Sequence, residues 1–205
     1  MRLSRRELVL SGAALAASTL LPGANGPAHA ALNESGLHTE PFLLDTFLDL
    51  KEDLADAAAH DKGLAVMFEQ RGCNYCRDMH EINFQHKKVL DYVLPRFNFI
   101  QLDLWGSREV TDFDGKAMEE KALARRWGAN FTPTVVLFAK DTDASGGESG
   151  RMIESARIMG YLRPFSFMTM FQFVAEGHHK DENFQRFLQD KSDELKAAGQ
   201  STKSW

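Results

Sequence analysis

Hydrophobic and polar residues follow one another along the chain in blocks that predict an ordered series of helices and strands. Continuous apolar runs at residues 64–68 and 134–139 are short and bounded by turn-forming residues, which is typical of buried strands. Residues 97–103 and 153–159 predict two further strands. Helices are predicted over residues 41–61, 73–83, 86–94, 117–127, 167–177 and from 181 onward. Parallel strands joined by helices, then an antiparallel hairpin and a covering helix, predict an α/β domain.

The first predicted helix carries its apolar residues on one face. Leu43, Phe47, Leu50 and Leu54 recur with the i, i+4, i+7, i+11 spacing of an amphipathic helix. Pro41 suits a first helical turn, so the helix is predicted to begin there.

Three other segments are assigned from their composition. Residues 31–40 are predicted to be a flexible lead-in, and the polar, turn-rich residues 106–116 predict an inserted loop. Near the C-terminus, Asp181 is predicted to cap a last helix that turns Phe184 and Phe187 inward.

The composition fits one folded domain, because 43% of the 205 residues are hydrophobic and no internal repeat is visible. The formal net charge is −5. Residues 1–30 contain three arginines and one glutamate, so the rest of the chain carries a net charge of −7. An acidic body without a basic stripe argues against nucleic acid as a partner.

The N-terminus is predicted to be a signal peptide that ends at Ala30. Arginines precede an apolar stretch at residues 8–21, and an Ala-His-Ala pattern follows where signal peptidase cleaves. Arg5 and Arg6 resemble a twin-arginine signal, although paired arginines also occur in ordinary secretory signals. The alternative is a membrane anchor, but a span needs about 20 apolar residues. The mature protein is therefore predicted to begin at Ala31 in the periplasm.

Cys73 and Cys76, the only two cysteines, follow the predicted strand at residues 64–68 and a Gln-Arg-Gly turn. A strand, a turn and C-x-x-C at the start of a helix make a redox motif. The helix start favours the thiolate at Cys73, and Arg71 and Arg77 add positive charge nearby. Cys73 is the predicted nucleophile toward a substrate disulfide, and Cys76, three residues on and less exposed, is the predicted resolving thiol.

A static disulfide or half a zinc site would use the same two cysteines. Cys73, Cys76, His80 and His86 make a possible set of four ligands. Structural zinc sites usually draw their ligands from two separate knuckles, which weighs against this interpretation. Attachment of c-type haem is excluded because Arg77, not histidine, follows Cys76. Neither a metal nor another cofactor is expected.

A second motif opens the predicted strand at 134–139, where residues 130–136 are Asn-Phe-Thr-Pro-Thr-Val-Val. It resembles the Thr-Pro-Thr motif of the thioredoxin superfamily, whose proline is cis and faces the C-x-x-C pair. The resemblance implies a thioredoxin-like α/β fold, a mixed central sheet flanked by helices, with extra N-terminal and C-terminal helices. It also implies that Pro133 is cis and that Thr132 pairs with the substrate chain. The predicted organisation is a signal peptide over 1–30, a lead-in over 31–40, a thioredoxin-like domain over 41–178 and a C-terminal helical extension over 179–205.

Segments 68–80 and 160–164, together with the leader, further resemble the periplasmic thioredoxins of the SoxW type, which are associated with sulfur-oxidation systems. This resemblance implies a reductase that takes electrons from a membrane dithiol carrier and passes them to oxidised protein or persulfide substrates. Tyr75, between the cysteines, is the first predicted substrate contact. Trp105 is the second, because it follows the second strand where thioredoxins border their groove, although a place in the core is its alternative.

The chain departs from ordinary thioredoxins at the position of their buried acidic residue, six residues before the first cysteine. That position is Met67 here. Glu69 points to the same face of the strand and is the candidate replacement as proton carrier for Cys76. A partly exposed place at the strand end is the alternative for Glu69. Asn74-Tyr75 stands between the cysteines in place of Gly-Pro, so the redox potential cannot be carried over.

Three functions stay open from the sequence. The first is a periplasmic disulfide reductase, and the second is a disulfide oxidase or isomerase of the same fold. The third is a non-catalytic module that binds zinc or a partner. An isomerase normally needs a dimerisation region and none is apparent, so a monomer is expected.

Overall fold

The computed structural model describes residues 31–202 and 205, so the predicted signal peptide lies outside the described residues. The strands are β1 (Ala31–Leu32), β2 (His38–Thr39), β3 (Gly63–Glu69), β4 (Phe97–Asp103), β5 (Glu109–Thr111), β6 (Ala117–Glu119), β7 (Thr134–Phe138) and β8 (Ala156–Met159). The helices are α1 (Leu50–Ala59), α2 (Asn74–Asp78), α3 (Lys87–Val93), α4 (Glu120–Arg126), α5 (Gly150–Ile153), α6 (Pro164–Ala175) and α7 (Phe184–Ala197). A π-helical turn, Met79–Asn83, continues α2, and a 3₁₀ turn, His178–Lys180, precedes α7.

The central sheet has the strand order β4-β3-β7-β8. Strand β3 runs parallel to β4 and antiparallel to β7, and β7 runs antiparallel to β8. The predicted mixed sheet is therefore confirmed. Its register pairs Glu69 with Asp103 and Phe68 with Thr134, so the carboxyl ends of β3 and β4 and the amino end of β7 lie at the same end of the sheet.

Strand β3 is buried along its whole length because helices cover both faces of this sheet, and its side chains alternate between two hydrophobic cores. Ala65 and Met67 join the core under α3 and α6, whereas Leu64, Val66 and Phe68 join the core under α1 and α4. The result is a three-layer α/β/α arrangement.

The predicted start of the first helix is wrong. Helix α1 begins at Leu50, where the side chain of Asp49 accepts hydrogen bonds from two backbone N–H groups of the first turn. The preceding residues run along the sheet edge instead, since the Leu44 N–H donates to the carbonyl of Phe99 at 2.9 Å. Phe47, expected on the buried face of the helix, is fully exposed.

Residues 31–40, expected to be a flexible lead-in, form a short hairpin. Strand β1 pairs antiparallel with β2, and the Asn33 side chain accepts from the N–H groups of Ser35 and Leu37 in the turn. Leu37 is buried. The hairpin therefore packs on the domain and places Glu40, the residue after it, against the body of the protein.

The expected loop at residues 106–116 is a second hairpin, formed by β5 and β6. Its few apolar residues, Val110 and Phe113, are both buried, which a polar composition did not reveal. The helix expected from residue 117 begins only at Glu120, because residues 117–119 form the second strand of this hairpin.

The C-terminal part follows the prediction closely. Helix α6 ends before Gly177, whose φ of 83° only glycine adopts without strain. Helix α7 is capped by the side chain of Asn183 rather than by the expected Asp181, and it buries Phe187. No helix within residues 31–202 is both long and apolar enough to span a bilayer.

Candidate active site around Cys73 and Cys76

Cys73 and Cys76 form a disulfide at the point where β3 gives way to α2. Cys73 is the N-cap of α2, and the Cys76 N–H donates to its sulfur at 3.0 Å. The two cysteines differ in access to solvent: 9% of Cys73 is exposed, and none of Cys76. A thiolate at Cys73 would keep a backbone N–H donor pointed at it, which stabilises the negative charge.

The two arginines near the cysteines do not act alike. Arg77 forms ion pairs along its own helix, with Asp78 at 3.1 Å and Glu81 at 3.8 Å. The side chain of Arg71 instead packs beside Gly36 of the N-terminal hairpin. The positive charge that the sequence predicts beside Cys73 is therefore partly neutralised in the case of Arg77.

The Thr132–Pro133 peptide bond is cis, as the resemblance implies. It lies immediately before β7, at the end of the sheet where β3 also ends. The Pro133 carbonyl accepts a hydrogen bond from the Gly160 N–H at 2.8 Å, which ties this loop to the end of β8. The Thr132 hydroxyl is buried and has no hydrogen-bond partner in the described chain.

Exposed aromatic residues lie on the loops at this end of the sheet. Tyr75 is 60% exposed and stacks on Tyr161 with ring centroids 6.2 Å apart. Trp105 is 66% exposed, and its indole N–H donates to the side-chain oxygen of Gln70 at 2.7 Å. Trp105 is thus a surface residue beside the cysteine loop, while Trp127 is fully buried in the core. These positions leave both predicted contact residues accessible to a substrate.

Glu69 is fully buried, so the alternative of a partly exposed strand-end residue is wrong. One carboxylate oxygen lies 2.9 Å from Nε2 of His80. The other accepts from the side-chain amide of Gln101 at 3.1 Å. Glu69 lies on the Met67 face of β3, as the period of two predicts. The geometry gives it a titratable partner, while its role in proton transfer stays a prediction.

His80 is the centre of a buried charged cluster that the sequence did not predict. Its second ring nitrogen, Nδ1, lies 3.2 Å from a carboxylate oxygen of Glu40. Burial alone would lower the pKa of His80, but the hydrogen bonds and charges of Glu69 and Glu40 outweigh it and raise the pKa above the ordinary value of 6.5. The i, i+4 spacing from Cys76 to His80 is the one sequence signal that places this histidine near the cysteines.

The four residues of the zinc alternative do not come together. Both ring nitrogens of His80 face carboxylates, and His86 stacks on Trp205 with ring centroids 5.4 Å apart. Within the described part of the chain, no group of three or more histidine, cysteine, aspartate or glutamate side chains is arranged to hold a metal ion.

A family model described as a thioredoxin-like domain matches residues 50–175, more than half of the chain. The protein belongs to this thioredoxin-like family. The matched thioredoxin-like domain contains both cysteines, Glu69, His80 and the cis proline. Glu40 lies outside it, directly after the N-terminal hairpin.

Solved thioredoxin-fold structures resemble this thioredoxin-like protein. A thioredoxin-fold protein from Helicobacter pylori is 24% identical, with a TM-score of 0.47, over 64% of this chain and 80% of the other. A thioredoxin from Thermus thermophilus is also 24% identical, with a TM-score of 0.47, over 62% and 83%. The oxidised C-terminal domain of DsbD from Neisseria meningitidis is 20% identical, with a TM-score of 0.45, over 64% and 98%. No curated protein matched the chain.

The thioredoxin-like fold and the Cys73–Cys76 pair together support a thiol–disulfide oxidoreductase in general.

Proposed function

We propose that this protein is a periplasmic thiol–disulfide oxidoreductase that reduces disulfides or persulfides of protein substrates through Cys73 and Cys76. The observation that carries the proposal is the asymmetry of the pair. Cys73 caps a helix, reaches the surface and receives an N–H hydrogen bond, while Cys76 is fully buried behind it. This arrangement suits one thiol that attacks and one that resolves.

The reaction follows from that asymmetry. In the reduced protein, the Cys73 thiolate attacks a substrate disulfide, forms a mixed disulfide and displaces the first substrate thiolate. Cys76 then loses its proton and attacks the sulfur of Cys73. The Cys73–Cys76 disulfide forms, the bond from Cys73 to the substrate breaks, and the second substrate thiolate leaves with the electron pair. The substrate gains two electrons and the protein loses two.

Glu69 is the proposed acceptor of the Cys76 proton. It is buried at the end of β3, and its partner His80 lies one helical turn from Cys76 on the same helix. A buried thiol loses its proton fastest to a base within the protein, because its contact with bulk hydroxide is restricted.

The proposed cellular setting rests on the N-terminal residues and the SoxW-type resemblance. Paired arginines, an apolar stretch and the small-residue pattern up to Ala30 support export to the periplasm. In that setting a membrane dithiol carrier would reduce the Cys73–Cys76 disulfide, and a sulfur-oxidation system would supply the substrates. N-terminal sequencing of the exported protein tests the location; a chain that still begins at Met1 would contradict cleavage.

The two cysteine variants test the assigned roles. Cys76→Ser is expected to accumulate mixed disulfides with substrate, since Cys73 can attack but nothing resolves the product. Cys73→Ser is expected to form none. Non-reducing gel electrophoresis and mass spectrometry after reaction with a protein disulfide measure both. Trapping by Cys73→Ser would reverse the assignment, and trapping by neither would argue against thiol exchange altogether.

The direction of electron flow is tested by the equilibrium potential of the cysteine pair in a dithiothreitol or glutathione buffer. A value near that of thioredoxin, about −270 mV, supports the reductase. A value near that of the strong oxidant DsbA, about −120 mV, would favour the oxidase instead.

A further inference from the structure

A continuous chain of hydrogen-bonding groups runs from Glu69 through His80 to Glu40. Nε2 of His80 is 2.9 Å from Glu69, and Nδ1 is 3.2 Å from Glu40. His80 is fully buried and the Glu69 side chain almost so, whereas the side chain of Glu40 is 9% exposed. The chain therefore begins next to the cysteine helix and ends at a group that reaches solvent.

Imidazole suits the middle position of such a chain, because it is the side chain that can accept a proton at one ring nitrogen and release one from the other. A structural role alone gives little reason for this composition. Three ionisable groups buried together usually stabilise a fold no better than apolar residues of similar size.

The outer end of the chain comes from outside the matched domain. Glu40 follows the hairpin of β1 and β2, while the family match starts at residue 50. The hairpin is anchored next to the cluster, since the Gln101 amide donates both to the His38 carbonyl at 2.6 Å and to Glu69 at 3.1 Å. The same amide thus holds the hairpin and the buried carboxylate in a fixed relation.

We propose that His80 and Glu40 relay the Cys76 proton from Glu69 to solvent, so that the N-terminal hairpin completes the active site of the thioredoxin-like domain. This inference rests on the proposed function, because it concerns the resolving step of that reaction. Glu69 receives the proton directly, and His80 and Glu40 are positioning residues that act through it.

The proton balance of the step is closed. Cys76 gives its proton to Glu69 as its sulfur forms the bond to Cys73 and the substrate thiolate leaves. His80 takes a proton from Glu69 at Nε2 and gives one to Glu40 from Nδ1. Glu40 then passes a proton to water, and one proton has left the protein for each disulfide formed.

The groups around His80 are consistent with this use. Glu69 faces it from β3, the His38 ring from the hairpin, and Glu40 from the residue after the hairpin. Gln101 from β4 contacts Glu69 rather than the ring. The His38 ring centroid is 5.5 Å away. The two carboxylates raise the pKa of His80 against the effect of burial, and each lies within hydrogen-bond distance of one ring nitrogen, so a proton can be taken up on one side of the ring and released on the other.

The test separates capture from resolution. The full mature chain is reduced and mixed with the aromatic disulfide dithiobis(nitrobenzoate) in a stopped-flow instrument. Attack by Cys73 releases one coloured thiolate, and resolution by Cys76 releases the second. Because that leaving thiolate needs no proton, the second phase reports the loss of the Cys76 proton. Both phases are recorded from about pH 5 to about pH 9, the range over which imidazole titrates.

Glu40→Gln keeps the shape of the side chain and removes its capacity to carry a proton. It is expected to slow the second phase about tenfold near neutral pH, with the deficit shrinking as pH rises, and to change the first phase less than about twofold. His80→Gln is expected to slow the second phase at least as much. Glu34→Gln, an exposed position on the same hairpin, is the matched control and should behave like the wild type.

Each outcome is decisive. If the second phase of Glu40→Gln matches that of the wild type at every pH, the relay is overturned and the proposed function stays intact. This result is sufficient by itself if His80→Gln does not fold. Equal slowing of both phases, without a change in pH profile, would assign a structural role and also overturn it. If the wild type releases no second thiolate, the proposed function itself fails.

Discussion

Two buried carboxylates, Asp112 and Glu69, have opposite kinds of partners. Asp112 accepts hydrogen bonds from fixed donors and pairs with a guanidinium. Those partners are the Phe113 and Gly150 N–H groups at 2.8 and 2.9 Å, the Trp127 indole at 3.2 Å, the Ser149 hydroxyl at 2.8 Å and Arg126 at 2.8 Å. Glu69 instead meets one amide and one imidazole.

This difference suits Asp112 to a structural role and Glu69 to proton transfer. Indole, backbone N–H and guanidinium groups do not give up protons near neutral pH, so these partners hold Asp112 in place, and it joins the β5–β6 hairpin to α4 and α5. Imidazole does exchange protons in that range, so the partner of Glu69 is one that can take a proton or give one. Burial is common to both carboxylates, and the partner decides their use.

The largest expected effect is on stability, at Asp112. Asp112→Ala leaves several buried donors unpaired and is expected to lower the free energy of unfolding by about 3–5 kcal/mol. Chemical denaturation measures it. Asp45→Ala, at an exposed aspartate, is the control and should stay within about 0.5 kcal/mol of the wild type. A loss of unfolding free energy below about 1 kcal/mol for Asp112→Ala would contradict a structural role for Asp112. A changed rate of mixed-disulfide resolution per folded molecule of this variant would also remove the contrast with Glu69.

The next effect is kinetic, at Glu69. Glu69→Gln is nearly isosteric and is expected to slow resolution of the mixed disulfide by at least about tenfold near neutral pH, because the proton acceptor is lost. Capture by Cys73 should change less, and the deficit should shrink as pH rises because a more ionised Cys76 needs no base. The same two-phase assay measures it, with Glu109→Gln, at an exposed position, as control. Wild-type kinetics across the pH range would make Glu69 a structural residue like Asp112.

A third effect concerns the pH dependence of stability. The pKa of His80 is raised in the folded protein, so its imidazolium contributes stability that is fully present below the ordinary pKa of about 6.5 and is lost as pH rises through the folded value. The free energy of unfolding should therefore fall as pH rises above about 6.5. Glu40→Gln removes one of the carboxylates that raise this pKa and should flatten the fall, whereas Glu34→Gln should not. Parallel curves for the wild type and Glu40→Gln would argue against this linkage.

The smallest expected effect is at Asp53, a third buried carboxylate, beside which residues 31–202 place neither a cation nor an imidazole. Burial, then three acidic neighbours, raise its pKa from 3.8 to about 6, against a hydrogen bond from Thr46. Stability from the protonated form is thus lost as pH rises through about 6. Asp53→Asn should raise the unfolding free energy near pH 7 by about 1 kcal/mol, less than the full shift implies, because nearby water screens the charge. A carboxyl titration by NMR with a midpoint near 4 would contradict this.

The central strands could be predicted because a strand buried on both faces leaves a continuous apolar run, as β3 and β7 do. The first helix was misplaced because Leu43 and Phe47 fall on the helical period by chance, while the Asp49 side chain sets the true start. The β5–β6 hairpin was missed because only Val110 and Phe113 anchor it, too few to produce a detectable period.

At the candidate site, the two cysteines and Pro133 were predicted because local motifs mark them. The orientation of Glu69 followed from the period of two, but its burial did not, since the covering residues come from other parts of the chain. Glu40 could not be predicted. Its partner His80 is 40 residues away, and nothing in the polar segment around Glu40 signals a contact at that distance.

The π-helical turn Met79–Asn83 makes this helical segment sensitive to its length. The Phe84 N–H donates to the carbonyl of Met79, five residues back, so the turn holds one residue more than an α-helix would. Removing one residue there would restore an ordinary turn and rotate the two flanking parts by about 100° relative to each other. In an alignment of related chains, a one-residue gap at these five positions would therefore mark proteins in which the cysteine helix and the following helix α3 are oriented differently relative to each other.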